Sequence, residues 1–342
     1  MEERAHSAAP RLAFYGTGQY GLEAVRIAVA RGWPIVAAYN RAGPKVGQDL
    51  GRLAGLDRDI GVIVEDADTA DFGKASPDLA IVAMNDRLRY NMTAYHRLLS
   101  AGINVICHGA EAYFPYGADP VAAAEIDELA KANGVTLTGT GIWDYSRIWS
   151  GILAAGPCSE LRAMIHHTLT DAETASVTLM RDICGVSMTQ AEYAEKNKAG
   201  IGDLYKLIPH HVLHALGYTI KEVSERREPV LSDKPVYCRL LDRTLEPGLV
   251  LGTRIIAEVT THEGVTAAAH MELRILPEGE TEHMLWTIEG KPASKIRVDR
   301  TDSVHTSAAC MVNRVPDVIA AAPGIRVVSE LGVLTPKLAV RA

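Results

Sequence analysis

The chain has 342 residues, of which 47% are hydrophobic and 23% are charged, and its formal net charge is −7. That length suits two ordinary domains, and the composition is that of a globular protein whose domains bury sizeable cores. Lysine and arginine never occur more than two in a row. The clustered basic face that binds nucleic acid is therefore lacking, and nucleic acid is excluded as a partner.

We expect neither a membrane partner nor a bound metal. Residues 1–10 lack the apolar core of a signal peptide, and no apolar stretch approaches the roughly 18 residues that a membrane helix needs. The cysteines are scattered, odd in number and without C-x-x-C spacing, which is typical of reduced thiols in a cytoplasmic protein. They are Cys107, Cys158, Cys184, Cys238 and Cys310.

The first part of the chain alternates between short apolar strands and helices. Residues 11–15 predict a buried strand, and apolar residues then recur at helical spacing until Gly32 ends a helix. Such alternation predicts an α/β fold, a Rossmann-type doubly wound parallel sheet. Further strands are predicted at residues 34–39, 60–64, 79–84, 104–107 and 135–138, and further helices at 88–100 and 120–132.

Near Pro157 the pattern changes to longer strands, and residues 261–264 and 277–280 are typical of hairpin turns. This part predicts an α+β substrate domain with a mainly antiparallel sheet, while a last helix, residues 303–322, is expected to return to the first domain. We therefore divide the chain into an NAD(P)-binding domain, residues 1–156 and 300–342, and a substrate and dimerisation domain, residues 157–299. The strands of the second domain are predicted at 161–169, 220–228, 250–261, 265–276 and 282–288, and its helices at 175–183, 189–199 and 204–216.

The first strand leads straight into a G-x-G-x-x-G pattern, and a helix follows it, which is the context that a dinucleotide-binding turn requires. Gly16 permits the tight turn, Gly18 lets the backbone approach a pyrophosphate, and Gly21 lets the helix pack on the strand. The helix N-terminus adds N–H donors and a partial positive charge. The alternative is an ordinary strand–helix turn. As a cofactor site, the turn would also use the residues between the glycines, Thr17, Gln19 and Tyr20.

Asn40 and Arg41 stand at the end of the second strand, about 20 residues beyond the glycines, where an NAD-specific enzyme places an acidic residue for the adenosine ribose. No carboxylate is present there to repel a 2′-phosphate, and a guanidinium can pair with the phosphate or stack on adenine. The predicted cofactor is therefore NADP, with NAD also accepted. The alternative is that Arg41 is a solvated loop arginine.

Two further strand ends should face the nicotinamide, because ligands bind at the carboxyl ends of parallel strands. One end carries Ala83, Met84 and Asn85, and the other carries His108 and Gly109, followed by Glu111. Glu111 is the only carboxylate at its strand end. It is the catalytic candidate, since a carboxylate there can act as a general base or stabilise a cation. The alternative is an exposed loop glutamate.

Histidines occur in two groups that invite a functional interpretation. His166 and His167 are neighbours in a predicted strand, so only one of them can line a cleft. His210 and His214 stand at i and i+4, but the glutamate of an H-E-x-x-H zinc motif is missing. This pattern favours one face of a helix over a zinc site.

Four segments in this order, residues 16–21, 46–51, 139–143 and 312–316, together resemble the dihydrodipicolinate reductase-like superfamily. Within it they resemble the native NAD(P)-dependent amine dehydrogenases, relatives of 2,4-diaminopentanoate dehydrogenase. The resemblance runs over nearly the whole chain and is thinner across the second domain. It implies reductive amination of ketones or aldehydes with ammonia and NAD(P)H, together with the reverse deamination. We also expect a homodimer.

The resemblance assigns roles to single residues. Glu111 matches the key glutamate, Trp143 matches a pocket residue, and Asn313 falls where the returning helix is expected to approach the nicotinamide. Dihydrodipicolinate reductases use a lysine in an H-H-x-x-K-x-D segment, but here Thr170 replaces it. This departure argues against a dicarboxylate substrate and favours a small apolar ketone or aldehyde. Ordinary core is the alternative for the predicted pocket residues, which are Ile142, Trp143, His167, Leu179 and Met180.

Two competing functions stay open. Another oxidoreductase of the superfamily, such as a 2,4-diaminopentanoate dehydrogenase, would carry a charged residue facing its substrate. A non-catalytic NADPH-sensing protein would not place Glu111 against the nicotinamide.

Overall fold

The chain forms two compact units, and the computed structural model describes residues 9–174, 180–181, 184–197 and 204–336 of it. The first unit comprises residues 1–145 and 302–342, and the second comprises residues 146–301. The functional domain division made from the sequence counts residues 146–156 with the cofactor domain and stays a prediction. None of the described helices is long and apolar enough to cross a membrane.

A parallel sheet forms the centre of the first unit. Its strands are β1 (Leu12–Tyr15), β2 (Ile35–Asn40), β3 (Val64–Asp66), β4 (Leu79–Val82), β5 (Asn104–Cys107), β6 (Thr136–Gly139) and β15 (Gly324–Ile325). They lie in the order β15-β6-β5-β4-β1-β2-β3, and each neighbouring pair is parallel. β1 and β4 are buried along their whole length, as expected of strands covered on both faces.

Helices pack against this sheet, and the last of them returns from the far end of the chain. They are α1 (Gln19–Ala30), α2 (Leu50–Leu53), α3 (Leu88–Ser100), α4 (Pro115–Ala118), α5 (Pro120–Ala132) and α9 (Ser303–Ile319). α9 lies beside α1 and runs in the same direction. His305 Nδ1 lies 2.7 Å from Glu23 Oε1, and Arg31 donates a hydrogen bond of 2.6 Å to Asn313, eight residues further along each helix.

The parallel arrangement brings five strand ends to one edge of the sheet, which we call the carboxyl edge: Tyr15, Asn40, Val82, Cys107 and Gly139. One predicted strand, residues 60–64, is displaced. β3 begins only at Val64, because the Asp49 carboxylate accepts the N–H groups of Ile60 and Gly61 and so draws this segment into the loop before it.

The second unit is built on a six-stranded mixed sheet. Its order is β14-β13-β7-β12-β11-β8, and only β7 and β12 are parallel. The strands of this unit are β7 (Glu160–Asp171), β8 (Ile220–Leu231), β9 (Val236–Cys238), β10 (Arg243–Leu245), β11 (Val250–Thr261), β12 (Thr266–Arg274), β13 (His283–Lys291) and β14 (Ser294–Asp299), with β9 and β10 forming a separate pair. Its helices include α6 (Ser150–Ala155), α7 (Gln190–Asn197) and α8 (Leu207–Ala215). The two sheets confirm the predicted fold class.

The two predicted hairpin turns have different outcomes. Residues 261–264 connect β11 to its antiparallel neighbour β12, as predicted. The prediction for residues 277–280 is wrong, because β13 pairs with β7 and not with β12. β7 is the first strand of this unit, and it occupies the place beside β12 that a hairpin partner would have taken.

Candidate active site

The glycine-rich turn at the end of β1 has the geometry that its three glycines predict. Gly16 has a φ of +99°, and a Cβ there would lie 2.6 Å from the carbonyl oxygen of Ala83. A Cβ at Gly21 would lie 2.4 Å from the carbonyl oxygen of Gly16, so helix and strand meet without a side chain between them. At Gly18 a Cβ would meet only the Ala83 carbonyl, at 3.9 Å. The backbone at Gly18 is therefore open to a ligand.

The turn also carries donors that suit a dinucleotide phosphate. Gly18 is the N-cap of α1, and no side chain caps this helix, so its first N–H groups face the open side of the turn. The hydroxyl of Thr17 is buried and has no hydrogen-bond partner among the described residues. An open backbone, an uncapped helix N-terminus and an unpaired buried hydroxyl fit a nicotinamide dinucleotide.

Aromatic contacts link this turn to the end of β5. The ring of Tyr20 stacks on His108 with their centroids 4.1 Å apart, while Gln19 is exposed. Burial lowers the pKa of His108 to about 4, so the ring is neutral at pH 7. A neutral ring adds no charge to the place where a nicotinamide would lie.

The segment after β4 lies between the glycine-rich turn and the segment after β5. Ala83 donates its N–H to Tyr15, and Met84 is 48% exposed. Asn85 contacts Gly109 so closely that a Cβ on the glycine would lie 2.3 Å from the Asn85 carbonyl oxygen. The structure thus brings the residues predicted from these two strand ends together along the carboxyl edge.

Asn40 and Arg41 end β2 on the other side of the turn. Asn40 is half-buried and Arg41 is exposed. Within the part of the chain that the structure describes, the Arg41 guanidinium has no hydrogen bond or ion pair, so it is available to a ligand.

Glu111 is buried, in contrast to the alternative of an exposed loop residue, and it lies in a 3₁₀ turn, Ala110–Tyr113. Its Oε1 lies 2.6 Å from Arg87 Nη1, and its Oε2 accepts the N–H of Leu88 at 2.8 Å. The carboxylate therefore caps the N-terminus of α3, where a negative charge is favoured. Among the described residues, each oxygen keeps a second lone pair for another donor.

The predicted pocket residues Ile142 and Trp143 follow β6 and lie over this 3₁₀ turn. Trp143 is 8% exposed, and its ring centroid lies 5.2 Å from that of Tyr113. A Cβ at Gly139 would lie 2.0 Å from the backbone of Ala112, so the two segments pack backbone against backbone. Glu111 and this part of the pocket are neighbours in the fold.

The residues that hold these segments in place were not predicted from the sequence. Asp144 is fully buried and forms two hydrogen bonds with the guanidinium of Arg314 in α9, of 2.7 and 2.8 Å, and a third with Thr140. Arg87, the partner of Glu111, was also missed. Only Arg314 was recognisable in the sequence. It is a charged residue on the apolar face of α9, the buried face formed by Met311, Val315 and Val318.

Asn313 requires a correction. It accepts a hydrogen bond from Arg31, which lies at the C-terminal end of α1, about 18 Å from the glycine-rich turn along a 12-residue helix. Because α9 runs parallel to α1, its N-terminal turns face the carboxyl edge, and there Ser307 accepts the N–H of Ile142 at 3.3 Å. The structure therefore does not place Asn313 near the nicotinamide.

The remaining predicted pocket residues belong to the second unit. Met180 is fully buried in an apolar cluster with Cys184, Val236 and Leu251, which supports the alternative of ordinary core. His167 is half-buried, with its Nε2 3.9 Å from Glu272. Leu179 lies outside the described residues. Among the described residues, no group of three or more histidine, cysteine, aspartate or glutamate side chains could hold a metal ion.

Comparison with known proteins agrees with this description. An amine dehydrogenase from Mycobacterium smegmatis superposes with a TM-score of 0.83 at 30% identity, covering 97% of this chain and 98% of that one. A 2,4-diaminopentanoate dehydrogenase from Acetoanaerobium sticklandii is 29% identical over 138 residues, 38% of this chain and only 38% of the length of that protein. An oxidoreductase from Agrobacterium radiobacter in complex with NAD⁺, L-tartaric acid and magnesium shares the fold, with a TM-score of 0.59, 13% identity, and 95% and 93% coverage.

The fold and the dinucleotide turn define the class of this protein, an NAD(P)-dependent oxidoreductase. Residues 152–339, more than half of the chain, match the 2,4-diaminopentanoate dehydrogenase C-terminal domain, and the chain belongs to this family. The resemblance seen in the sequence is confirmed, as is the enzyme class, an oxidoreductase acting on CH–NH₂ groups.

Proposed function

We propose that this protein is an NADP(H)-dependent amine dehydrogenase that reductively aminates small apolar ketones or aldehydes with ammonia, and that it also catalyses the reverse deamination. The observation that carries the proposal is the position of Glu111. It is a buried carboxylate on the 3₁₀ turn that follows β5, the turn whose Tyr113 ring contacts Trp143. The family, with relatives named amine dehydrogenase and 2,4-diaminopentanoate dehydrogenase, supports the same reaction class.

In the proposed reaction the protein binds and orients the reactants and handles a proton and a charge. Glu111 takes a proton from ammonium, and the resulting ammonia adds to the carbonyl carbon to give a carbinolamine. Glu111 then returns the proton to the hydroxyl group, which leaves as water, so that an iminium ion forms beside an ionised carboxylate. The carboxylate then stabilises the positive charge of the iminium, a charge that develops only along the reaction path. A bound nicotinamide supplies the hydride in this direction and accepts it in the reverse one. Trp143 and Ile142 would shape the space for the substrate and exclude water.

The cofactor would be held by the residues already described. The backbone of Gly18 and the N-terminus of α1 suit the pyrophosphate, while Asn40 and Arg41 suit the adenosine ribose with its 2′-phosphate. We therefore expect NADPH to bind at least as well as NADH. A homodimer remains our expectation from the resemblance.

The test is a panel of ketones and aldehydes with ammonia and NADPH, followed by cofactor absorbance. The proposal requires NADPH consumption that depends on both the carbonyl compound and ammonia. Consumption without ammonia would identify a carbonyl reductase. No consumption with any carbonyl compound, combined with tight NADPH binding, would identify a sensor.

A second candidate is a dehydrogenase for an amino-acid substrate, as the name of the curated relative suggests. The observation that favours it is the match of residues 152–339 to the 2,4-diaminopentanoate dehydrogenase C-terminal domain. Assaying 2,4-diaminopentanoate in the oxidative direction beside simple amines separates the two candidates.

A further inference from the structure

The loop between β2 and α2 carries a lysine that reaches the glycine-rich turn. The ammonium group of Lys45 donates a hydrogen bond to the carbonyl oxygen of Thr17. Lys45 is half-buried, unlike Arg41 at the start of the same loop, which is exposed. The side chain therefore spans from the loop that follows β2 to the turn that follows β1.

The position of Lys45 is set by the backbone around it. Val46 donates its N–H to Gly43 at 3.1 Å, and Gly47 donates to Val64 of the neighbouring strand β3 at 2.9 Å. The loop ends at Asp49, whose carboxylate caps α2 through the N–H groups of Gly51 and Arg52. The backbone of this loop is therefore held on both sides of Lys45.

The groups around this ammonium have unused capacity for a ligand. An ammonium has three N–H donors, and the Thr17 carbonyl takes only one of them. The Thr17 hydroxyl beside it has no partner among the described residues, and Arg41 has no ion pair there. Asp66 lies opposite Asn40 on the neighbouring strand β3. Its carboxylate accepts the N–H of Asp68 at 3.0 Å within its own loop.

We propose that Lys45 binds the 2′-phosphate of NADP(H) together with Arg41 and thereby determines the preference for NADP(H) over NAD(H). In a Rossmann domain the ribose 2′ position is read at the end of the second strand, while the pyrophosphate lies on the turn after the first. Lys45 connects these two segments, so its charge lies where the extra phosphate of NADP(H) must lie. The inference rests on the proposed function, which supplies both a nicotinamide dinucleotide at this turn and the preference for NADP(H).

The test measures binding without any substrate. The dissociation constants of NADPH and NADH are determined for the wild type and for Lys45→Met, which keeps the length of the side chain and removes its charge. We expect NADPH to weaken by about 10- to 100-fold, the scale of a charge-assisted hydrogen bond, and NADH by less than about twofold. The ratio of the NADPH and NADH dissociation constants is the quantity that tests the proposal. General damage to the turn would weaken both cofactors alike and leave this ratio unchanged.

Two controls complete the design. Lys74→Met removes an exposed lysine near the opposite edge of the same sheet, where Arg11 binds the adjacent Ala75 carbonyl, and it should leave both constants unchanged. Lys45→Arg keeps the charge and should keep NADPH within about threefold of the wild type, about 0.7 kcal/mol.

Other outcomes overturn the inference. Equal weakening of NADPH and NADH by Lys45→Met would mean that Lys45 binds the part common to both cofactors, and unchanged NADPH binding would mean that it binds neither. In both cases the proposed function would stand. A wild type that binds neither cofactor would instead refute the proposed function itself.

Discussion

Replacing Glu111 with Gln should nearly abolish amination while leaving cofactor binding intact. The substitution keeps the shape of the side chain and an oxygen that can accept the N–H of Leu88, but it removes the charge that would face an iminium ion. A preorganised electrostatic group of this kind is worth about 10²–10³ in rate. Because the interaction arises along the reaction path, kcat and kcat/KM should fall together. NADPH affinity should stay within about threefold, about 0.7 kcal/mol.

The structure also sets the cost of this substitution in stability. Glu111→Gln loses the ion pair with Arg87, whose side chain is 31% exposed, and a favourable charge at the N-terminus of α3. A partly exposed ion pair contributes about 0–1 kcal/mol and a charge at a helix end about 0.3–1 kcal/mol. We therefore expect a loss of about 0.3–2 kcal/mol, which lowers Tm by at most about 8 °C for a unit of this size.

Arg87→Met is the matched control, because it breaks the same ion pair and keeps the carboxylate. It should lower Tm by a similar amount and keep amination within about tenfold of the wild type, less than about 1.4 kcal/mol in activation free energy. The assay is steady-state amination beside thermal unfolding and NADPH titration for all three proteins. A Gln variant with near wild-type kcat would remove Glu111 from the mechanism. An equal collapse in both variants would assign the loss to the ion pair.

Three further predictions concern the pocket, a buried ion pair and pH. Trp143→Ala should raise kcat/KM for bulky ketones relative to small ones, and a lower Tm with unchanged preference would make Trp143 ordinary core. Arg314→Met leaves Asp144 buried without its partner and should cost about 3–5 kcal/mol in urea unfolding, against less than about 1 kcal/mol for Arg52→Met in an exposed ion pair. Burial lowers the pKa of His211 to about 3. Below pH 6.5 this histidine is therefore protonated in the unfolded chain but stays neutral in the folded one. The free energy of unfolding should therefore fall by about 2 kcal/mol from this group between pH 7 and pH 5, and His211→Asn, compared at both pH values, should remove that part of the fall.

What the sequence predicted well depends on local geometry. The roles of Gly16 and Gly21 could be predicted because each position requires glycine. Gly16 has a positive φ, and at Gly21 the backbone contact is too close for a Cβ. The parallel sheet followed from alternating periodicities, and the carboxyl edge then placed Glu111 beside the other candidates.

What the sequence did not predict depends on partners far along the chain. Arg87 and Glu111 are 24 residues apart, and Asp144 and Arg314 are 170 residues apart, so no local pattern announces either pair. Asn313 was misplaced because the direction in which α9 passes α1 is a tertiary feature. The error at residues 277–280 has the same origin, since β7 joins the sheet from more than a hundred residues upstream.

The bond between Asp144 and Arg314 also affects the order in which a newly made chain can fold. On the ribosome, the six strands from β1 to β6 emerge first, but α9 follows only after the whole second unit has been synthesised. At typical rates of about 5–20 residues per second, the 170 residues between the two partners delay their meeting by roughly 10–30 seconds. Through that interval Asp144 has no counter-charge and the apolar surface that α9 covers is exposed. The first unit can therefore cover its core completely only after residues 303–319 have been made, so the domain that would hold a nicotinamide dinucleotide is completed late in synthesis.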